Sequence, residues 1–428
     1  MNRTTLLAVA SVLAATLVCV GHAAAAEKPP ADPRQRPPDP HAGLAAAGKP
    51  LKVFILVGQS NMQGHAHIRT FDAIALDPQT APMLKQMRGA DGAPRVCERV
   101  WISSIGCAKD ERVGRLTAGF GAARGGPKIG PEFTFGIYMQ QLVDEPILII
   151  KIAWGGKSLH TDFRPPSAGP YEFSQAQLEG LKKRGKDVEQ VKADKAARTG
   201  QHYRLMIAHV KHVVADIKRV VPHYDPKQGY EIAGFVWFQG WNDMVDRQTY
   251  PNRGKPGGYD RYSEVLAHFI RDVRKKLSAP RMPFVIGVMG VGGPLDLEHP
   301  GRYTHIHHEF RKAMAAPAAL PEFQGNVAAV LTEKYWDMKL TTLRARDSEI
   351  QKKVRGLQKE GKLSRQEAKA AVEKRRAEVF TPRELEILTK GVSNFEFHYL
   401  GSAKIMAQIG RGFAEAMAKL LKNEPPKK

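Results

Sequence analysis

A chain of 428 residues, 43% hydrophobic and 25% charged, is long enough for one large α/β domain with insertions or two ordinary domains, and its apolar content excludes a disordered chain. The formal charge of +22 invites a nucleic-acid reading. However, the basic excess sits in mixed-sign helical stretches such as LKKRGKDVEQVKADKAAR and QKKVRGLQKEGKLSRQEAKAAVEKRR, the pattern of solvated faces, and no nucleic-acid motif accompanies it.

In chain order, residues 1–26 read as a secretory signal: Arg3 for the positive start, LLAVASVLAATLVCV for the apolar middle, HAAAA for the cleavage site. The expectation is an exported protein, periplasmic or extracellular, with no stable membrane insertion after cleavage. Loss of Cys19 would leave Cys97 and Cys107, whose spacing permits a disulfide without showing one. Residues 27–50 are rich in Pro and Ala and read as an extended tether, after which a folded domain runs over 51–424.

Five short apolar runs follow: LKVFILVG, PILIIKIA, YEIAGFVWF, PFVIGVMG and NVAAVLTE. Each is rich in β-branched residues without strict alternation, as in strands covered on both faces. Helical patterns lie between some of them. The clearest is GQHYRLMIAHVKHVVADIKRVV, in which Leu205, Ala208, His209, His212, Val213 and Ile217 are predicted to share a side. Strands separated by helices argue for a parallel sheet with sites at the carboxyl ends of its strands. Two charged helical insertions are expected, at about 171–200 and 341–390, the second with a capping box at Ser364 and Glu367 and a further helix start at Thr381-Pro382.

The polar signatures follow the strands directly. GQSNM comes after the first, AWGGKS after the second and FQGWNDM after the third, and SNFEFHYLGSAKIMAQIG precedes a terminal helix. A serine hydrolase needs a nucleophile, a base for its proton and donors aimed at the oxyanion. Ser60 can supply the first, His398 the second. The Ser60 N–H, the backbone of Gly156 (or Gly155) and the Asn242 amide can supply the third. Taken alone, Ser60 is also a common helix cap and Asn242 a turn residue.

Together these blocks resemble the SGNH hydrolase superfamily, and within it the sialate O-acetylesterase and carbohydrate esterase family six branch. The resemblance rests on GQSNMQG, WGGKSL, GWND and EFHY in family order, with GPEFTFG between the first two. It implies a three-layer α/β/α sandwich around a five-stranded parallel sheet and an enzyme that cleaves O-acetyl esters on carbohydrates. It implies neither a metal nor an organic cofactor. Carried over by position, Ser60 is the nucleophile, His398 the base, and Ser60, Gly156 and Asn242 the oxyanion hole.

The family's usual aspartate, three residues before the histidine, is here Phe395. Three orienting partners for His398 therefore stand open: Glu396, Asp337 in TEKYWD, or a backbone carbonyl in a Ser–His dyad. Gln59, Gln63, Gln239, Trp241 and Lys157 are candidate contacts for the acetylated carbohydrate. His65, His67, His305, His307 and His308 are spaced as a metal could use them, without a supporting carboxylate or cysteine pattern. The competing readings are a catalytically weak carbohydrate-binding protein of the same fold and a basic surface binder acting through the 341–390 arm.

Overall fold

The computed structural model describes residues 49–423. The signal, Cys19 and nearly all of the tether lie outside the described residues. Seven strands form the main sheet: β1 (Leu51–Gly58), β2 (Val100–Ile105), β3 (Arg112–Arg115), β4 (Ile147–Ala153), β5 (Tyr230–Phe238), β6 (Phe284–Val288) and β7 (Val327–Leu331). Their order is β3-β2-β4-β1-β5-β6-β7, with every pairing parallel except the antiparallel β2–β3 edge. The five apolar runs are all strands and hold the centre and one side of the sheet. The extra pair, VWISSI and RVGR, extends the other edge; RVGR is too short and polar to carry a strand pattern of its own.

The sheet is covered on both faces. On one, Phe54 of β1 meets Phe135 edge-on at 5.5 Å, and the helix bearing Phe135 (Pro131–Leu142) packs along the terminal helix Ala403–Lys422. On the other, Phe235 and Trp237 of β5 pack on Phe269 of the helix Asp260–Lys276, at 5.8 and 4.4 Å. Tyr203, on the helix Gln201–Ala215, reaches the same ring at 5.8 Å. Neighbours along β5 point to opposite faces. A Cβ on Gly234 would strike Met417 of the terminal helix. The result is an α/β/α sandwich.

The 201–215 helix corrects one expectation. Its buried stripe is His202, Tyr203, Met206, Ile207, Val210 and Val213, while Leu205 is 45% exposed and Ile217 lies beyond the helix end. The predicted face was rotated because alanine and the histidines were counted toward the apolar side. His209 instead meets Ser103 and Glu111 at the sheet edge.

Residues 171–200 contain the helices Gln175–Lys183 and Val188–Arg198; residues 338–390 contain Met338–Lys359, Arg365–Val379 and Pro382–Lys390. Ser364 and Thr381 form capping boxes with Glu367 and Glu384, satisfying the first N–H groups of their helices. Arg376 grips Asp347 through two hydrogen bonds, of 2.6 and 2.8 Å, and ties the first two helices together. Cys97 and Cys107 are buried free thiols, and burial pushes Cys97 up to about 12. Among the described residues no helix is long and apolar enough to cross a membrane.

Candidate active site

β1 ends at Gly58, where the neighbouring strand leaves no room for a side chain: a Cβ there would stand 2.1 Å from the Phe238 carbonyl. The chain then turns through Gln59 into one helical turn, Ser60–Gln63. Ser60 stands first in that turn, so its N–H has no partner further back in the helix. It is half-buried, between Gln59, which is 1% exposed, and the buried Asn61.

Three of the sequence blocks are laced together beneath this turn. Gln59 Oε1 accepts from Gln239 Nε2 at 3.2 Å and from the N–H groups of Gly240 and Asn242 at 3.4 Å. Gln239 Nε2 also donates to the Lys157 carbonyl at 3.0 Å and to Asp243 at 2.6 Å. Asp243, fully buried, accepts the N–H groups of Leu159 and His160 at 2.8 and 2.9 Å. Burial raises its carboxyl to about 6, against the pull of those donors. The loops after β1, β4 and β5 thus share one hydrogen-bond network at the carboxyl end of the sheet.

A second device holds the turn from below. Lys151, in the middle of ILIIKIA, pairs with Glu132 at 2.6 Å with both side chains wholly buried. The same ammonium donates to the carbonyls of Gln63 (2.8 Å) and Phe120 (3.0 Å), and Glu132 accepts from Gly130 N–H at 3.0 Å. The ion pair has its remaining donors and acceptors satisfied, the condition under which such a pair is tolerated in a core.

The histidine arrives from the far end of the chain. Ser393 accepts the His67 N–H at 3.1 Å and donates to the Gly401 carbonyl at 2.7 Å. The His398 ring lies flat on His65, with centroids 3.9 Å apart and planes 2° from parallel. The segment Glu396–Gly401 packs against the turn Ser60–Gln63. Tyr399 follows with its hydroxyl sunk among the strand ends, accepting from Gly290 N–H at 2.8 Å and bonded to Thr332 Oγ1 at 2.8 Å. Tyr399 and Leu400 have φ of 52° and 61°, a left-handed conformation costly outside glycine and sustained only where the surroundings dictate it.

His398 Nδ1 lies 2.9 Å from Asn394 Oδ1. That oxygen also accepts the Phe395 N–H at 2.7 Å, which identifies it as the amide's acceptor end. Nδ1 must then carry the proton, leaving a lone pair on Nε2. Burial lowers His398 to about 4, and burial together with the neighbouring His398 lowers His65 to about 3, so both rings are neutral at pH 7. Neither carboxylate considered for this role is the Nδ1 partner. Glu396 is exposed. Asp337 caps the helix Met338–Lys359 and pairs with Lys404 at 2.9 Å.

The other candidates divide. Gly155 approaches Ser60 most closely: a Cβ on it would come 4.0 Å from the serine Cβ and 3.0 Å from Gln63 Oε1. Gly156, with φ of 73°, has open space around it and makes the turn. Asn242 is half-buried, and among the described residues its side-chain amide has no hydrogen-bond partner. Gln59 and Gln239 are consumed by the loop network, Gln63 donates to the Gly106 carbonyl at 2.6 Å, and Lys157 pairs with Asp162 at 3.5 Å. Trp241 is half-buried against Phe397. His305, His307 and His308 lie on the helix Thr304–Ala315. Asn394 was not legible in the sequence because the partners expected behind the histidine were carboxylates or a backbone carbonyl, not a side-chain amide. The signal for the Glu132 pair was a lysine inside a strand covered on both faces. A serine–histidine contact does lie elsewhere, Ser103 Oγ to His209 Nε2 at 2.9 Å, but its serine is fully buried and cannot meet a substrate.

A family profile described as "Carbohydrate esterase, sialic acid-specific acetylesterase" matches residues 50–319, more than half of the chain. No curated protein sequence matches. Among solved structures, a protein from Arabidopsis thaliana is 16% identical, over 66% of this chain and 86% of that one, with a TM-score of 0.35. A carbohydrate acetylesterase from Xanthomonas citri is 14% identical over 65% and 49% of the two chains, TM-score 0.35. NanS is 12% identical over 66% and 78%, TM-score 0.34.

Proposed function

Because this chain belongs to the carbohydrate esterase family of sialic acid-specific acetylesterases, we propose that it removes O-acetyl groups from carbohydrates through an acetyl-enzyme on Ser60. Ser60 Oγ attacks the ester carbonyl carbon while its proton passes to His398 Nε2. The oxyanion is met by the N–H of Ser60, a backbone N–H of the Gly155-Gly156 turn and the Asn242 amide, each contributing roughly 3 kcal/mol to lowering the barrier. Collapse breaks the bond to the sugar oxygen, which takes the proton back from His398. Water, deprotonated by the same nitrogen, then cleaves the acetyl-serine to acetate and free Ser60.

The observation that carries this reading is the tautomer. Asn394 holds the proton on Nδ1 and leaves Nε2 basic, in the segment Glu396–Gly401 that packs against the turn Ser60–Gln63. An amide orients the ring without neutralising the imidazolium that forms, a role asparagine can fill in cysteine–histidine sites. Export through residues 1–26, with a periplasmic or extracellular destination, belongs to the same proposal, as does a single esterase domain over 51–424 carrying the two helical insertions. No nucleic-acid partner and no cofactor is part of it.

The test is acetate release from acetylated glycans by wild type and Ser60→Ala, with labelling of Ser60 by an organophosphonate. Loss of release and of labelling in the variant is expected. Wild-type turnover by Ser60→Ala would refute the mechanism. Retained glycan binding with no turnover in the wild type would instead favour a non-catalytic carbohydrate binder.

A further inference from the structure

The insertion at 171–200 closes a cavity of about 370 Å³ against the loop that follows the helix Trp241–Val245. Its charged walls are all of one sign. Arg184, Lys195 and Arg198 come from the insertion and Arg247 from the loop, and no carboxylate lines the space. The acids of the second insertion helix are engaged elsewhere: Glu189 pairs with Lys192 at 2.9 Å, and Asp194 accepts from Gln190 at 2.9 Å. Among the described residues none of the four cations forms an ion pair. Arg198 Nε reaches only the Asp194 carbonyl at 3.4 Å, and Lys195 Nζ lies 4.0 Å from the centre of the Tyr171 ring. Burial lowers the Lys195 ammonium below its usual value. The carboxylates that act on it from a distance, Asp246, Asp162 and Asp243, line none of the cavity.

The walls are fixed. Gly200 N–H donates to the Thr161 carbonyl at 2.8 Å and His202 N–H to the Asp162 carbonyl at 2.9 Å, pinning the end of the insertion to the loop after β4. Tyr171 Oη accepts from Gln177 Nε2 at 2.8 Å and lies 3.3 Å from Thr249 Oγ1, which joins the start of the insertion to the opposite wall. The Tyr171 ring stands edge-on to His160 at 5.2 Å, so the cavity backs onto the network around Asp243. Like charges gathered on a fixed frame repel one another, and an anion between them converts that repulsion into charge-assisted hydrogen bonds.

We infer that this cavity binds a phosphate monoester carried on a neutral, sugar-sized group, as in a phosphorylated monosaccharide. The inference goes beyond the esterase reading and does not rest on it, since none of the residues placed in that mechanism lines the cavity. Charge selects the anion. A single carboxylate would leave three of the four cations uncompensated. A phosphate monoester brings about two negative charges and three acceptor oxygens, which the planar arginine forks meet in pairs. Size and lining select the carrier. Phe173, Leu181 and Pro251 give an apolar wall, Gln248 adds a side-chain amide for hydroxyls, and the volume is that of a small-ligand site.

The experiment is calorimetric titration of the full chain at neutral pH with glucose 6-phosphate, inorganic phosphate and glucuronate in parallel. Glucose 6-phosphate is expected to bind saturably. Inorganic phosphate, which lacks the carrier, and glucuronate, which lacks the charge, should each bind at least about tenfold more weakly. Lys195→Gln and Arg247→Gln should each raise Kd for glucose 6-phosphate about tenfold. Lys192→Gln, on the same helix as Lys195 but outside the cavity, should leave it unchanged. Urea unfolding is the second readout. Glucose 6-phosphate should raise the midpoint of the wild type and not that of the double variant Lys195→Gln, Arg247→Gln. Without ligand the double variant should match or exceed the wild type, because like-charge repulsion is relieved. No saturable binding of glucose 6-phosphate, or an unchanged Kd in both glutamine variants, overturns the site. Glucuronate bound as tightly as glucose 6-phosphate overturns the choice of anion, and inorganic phosphate bound as tightly overturns the carrier. All of these outcomes can be read in Ser60→Ala as well, independently of acetate release.

Discussion

Asn394→Asp replaces the amide oxygen 2.9 Å from His398 Nδ1 with a carboxylate while keeping the side chain's size and its acceptor for the Phe395 N–H. In the wild type, His398 is lowered to about 4 by burial, so the neutral base is fully present above about pH 5 and is lost as pH falls through 4. An anion within hydrogen-bond reach favours the protonated ring and lifts a histidine by about one to three pH units. The acid limb of kcat/KM should therefore move upward by that amount in the aspartate variant, toward neutrality. Asn394→Ala removes the tautomer lock instead. A hydrogen bond to a group that becomes charged contributes about 1.5–3 kcal/mol. The rate at pH 8 should then fall about 10- to 100-fold, with little change in KM. Initial rates on an activated acetyl ester from pH 3.5 to 9 measure both. An aspartate variant whose acid limb coincides with the wild type would refute the placement of Asn394 behind the base. So would an alanine variant at full rate.

Two further outcomes follow from the site's supports. Asn242→Ala removes an amide that has no protein partner among the described residues, so stability should hold while kcat falls about 10²- to 10³-fold, read by steady-state kinetics beside urea denaturation. Glu132→Gln leaves Lys151 charged with no buried counter-ion and should cost about 3–5 kcal/mol by denaturant unfolding, with the double variant Glu132→Gln, Lys151→Met recovering much of the loss.

The central strands were legible because a segment covered on both faces has no choice but to be apolar, and the first three such runs end at a polar signature. The edge pair β2–β3 was not, since RVGR has too little buried surface to write a pattern. The register of the 201–215 helix misled for a different reason. Histidine reads as neither polar nor apolar, and His209 serves an edge contact rather than the core. At the site, residue types were legible and their division of labour was not. Gln59 and Gln239 are the right chemistry to hold sugar hydroxyls, yet each is 1–2% exposed; Gln59 accepts loop N–H groups instead, and Gln239 donates to the Lys157 carbonyl and Asp243. Only the fold says which polar groups are left over.

The departure at Phe395 shows how one exchange can be absorbed by its neighbours. A carboxylate three residues before the histidine would orient the ring and stabilise its cation together. Here the Nδ1 contact passes to Asn394, one residue earlier, whose amide oxygen stands 2.9 Å from it. Among the described residues no carboxylate takes over cation stabilisation: burial alone lowers His398, and His65, stacked on it, is neutral. In the proposed mechanism the base is therefore weak but unprotonated far into acid, and the burden of lowering the barrier shifts to the oxyanion donors.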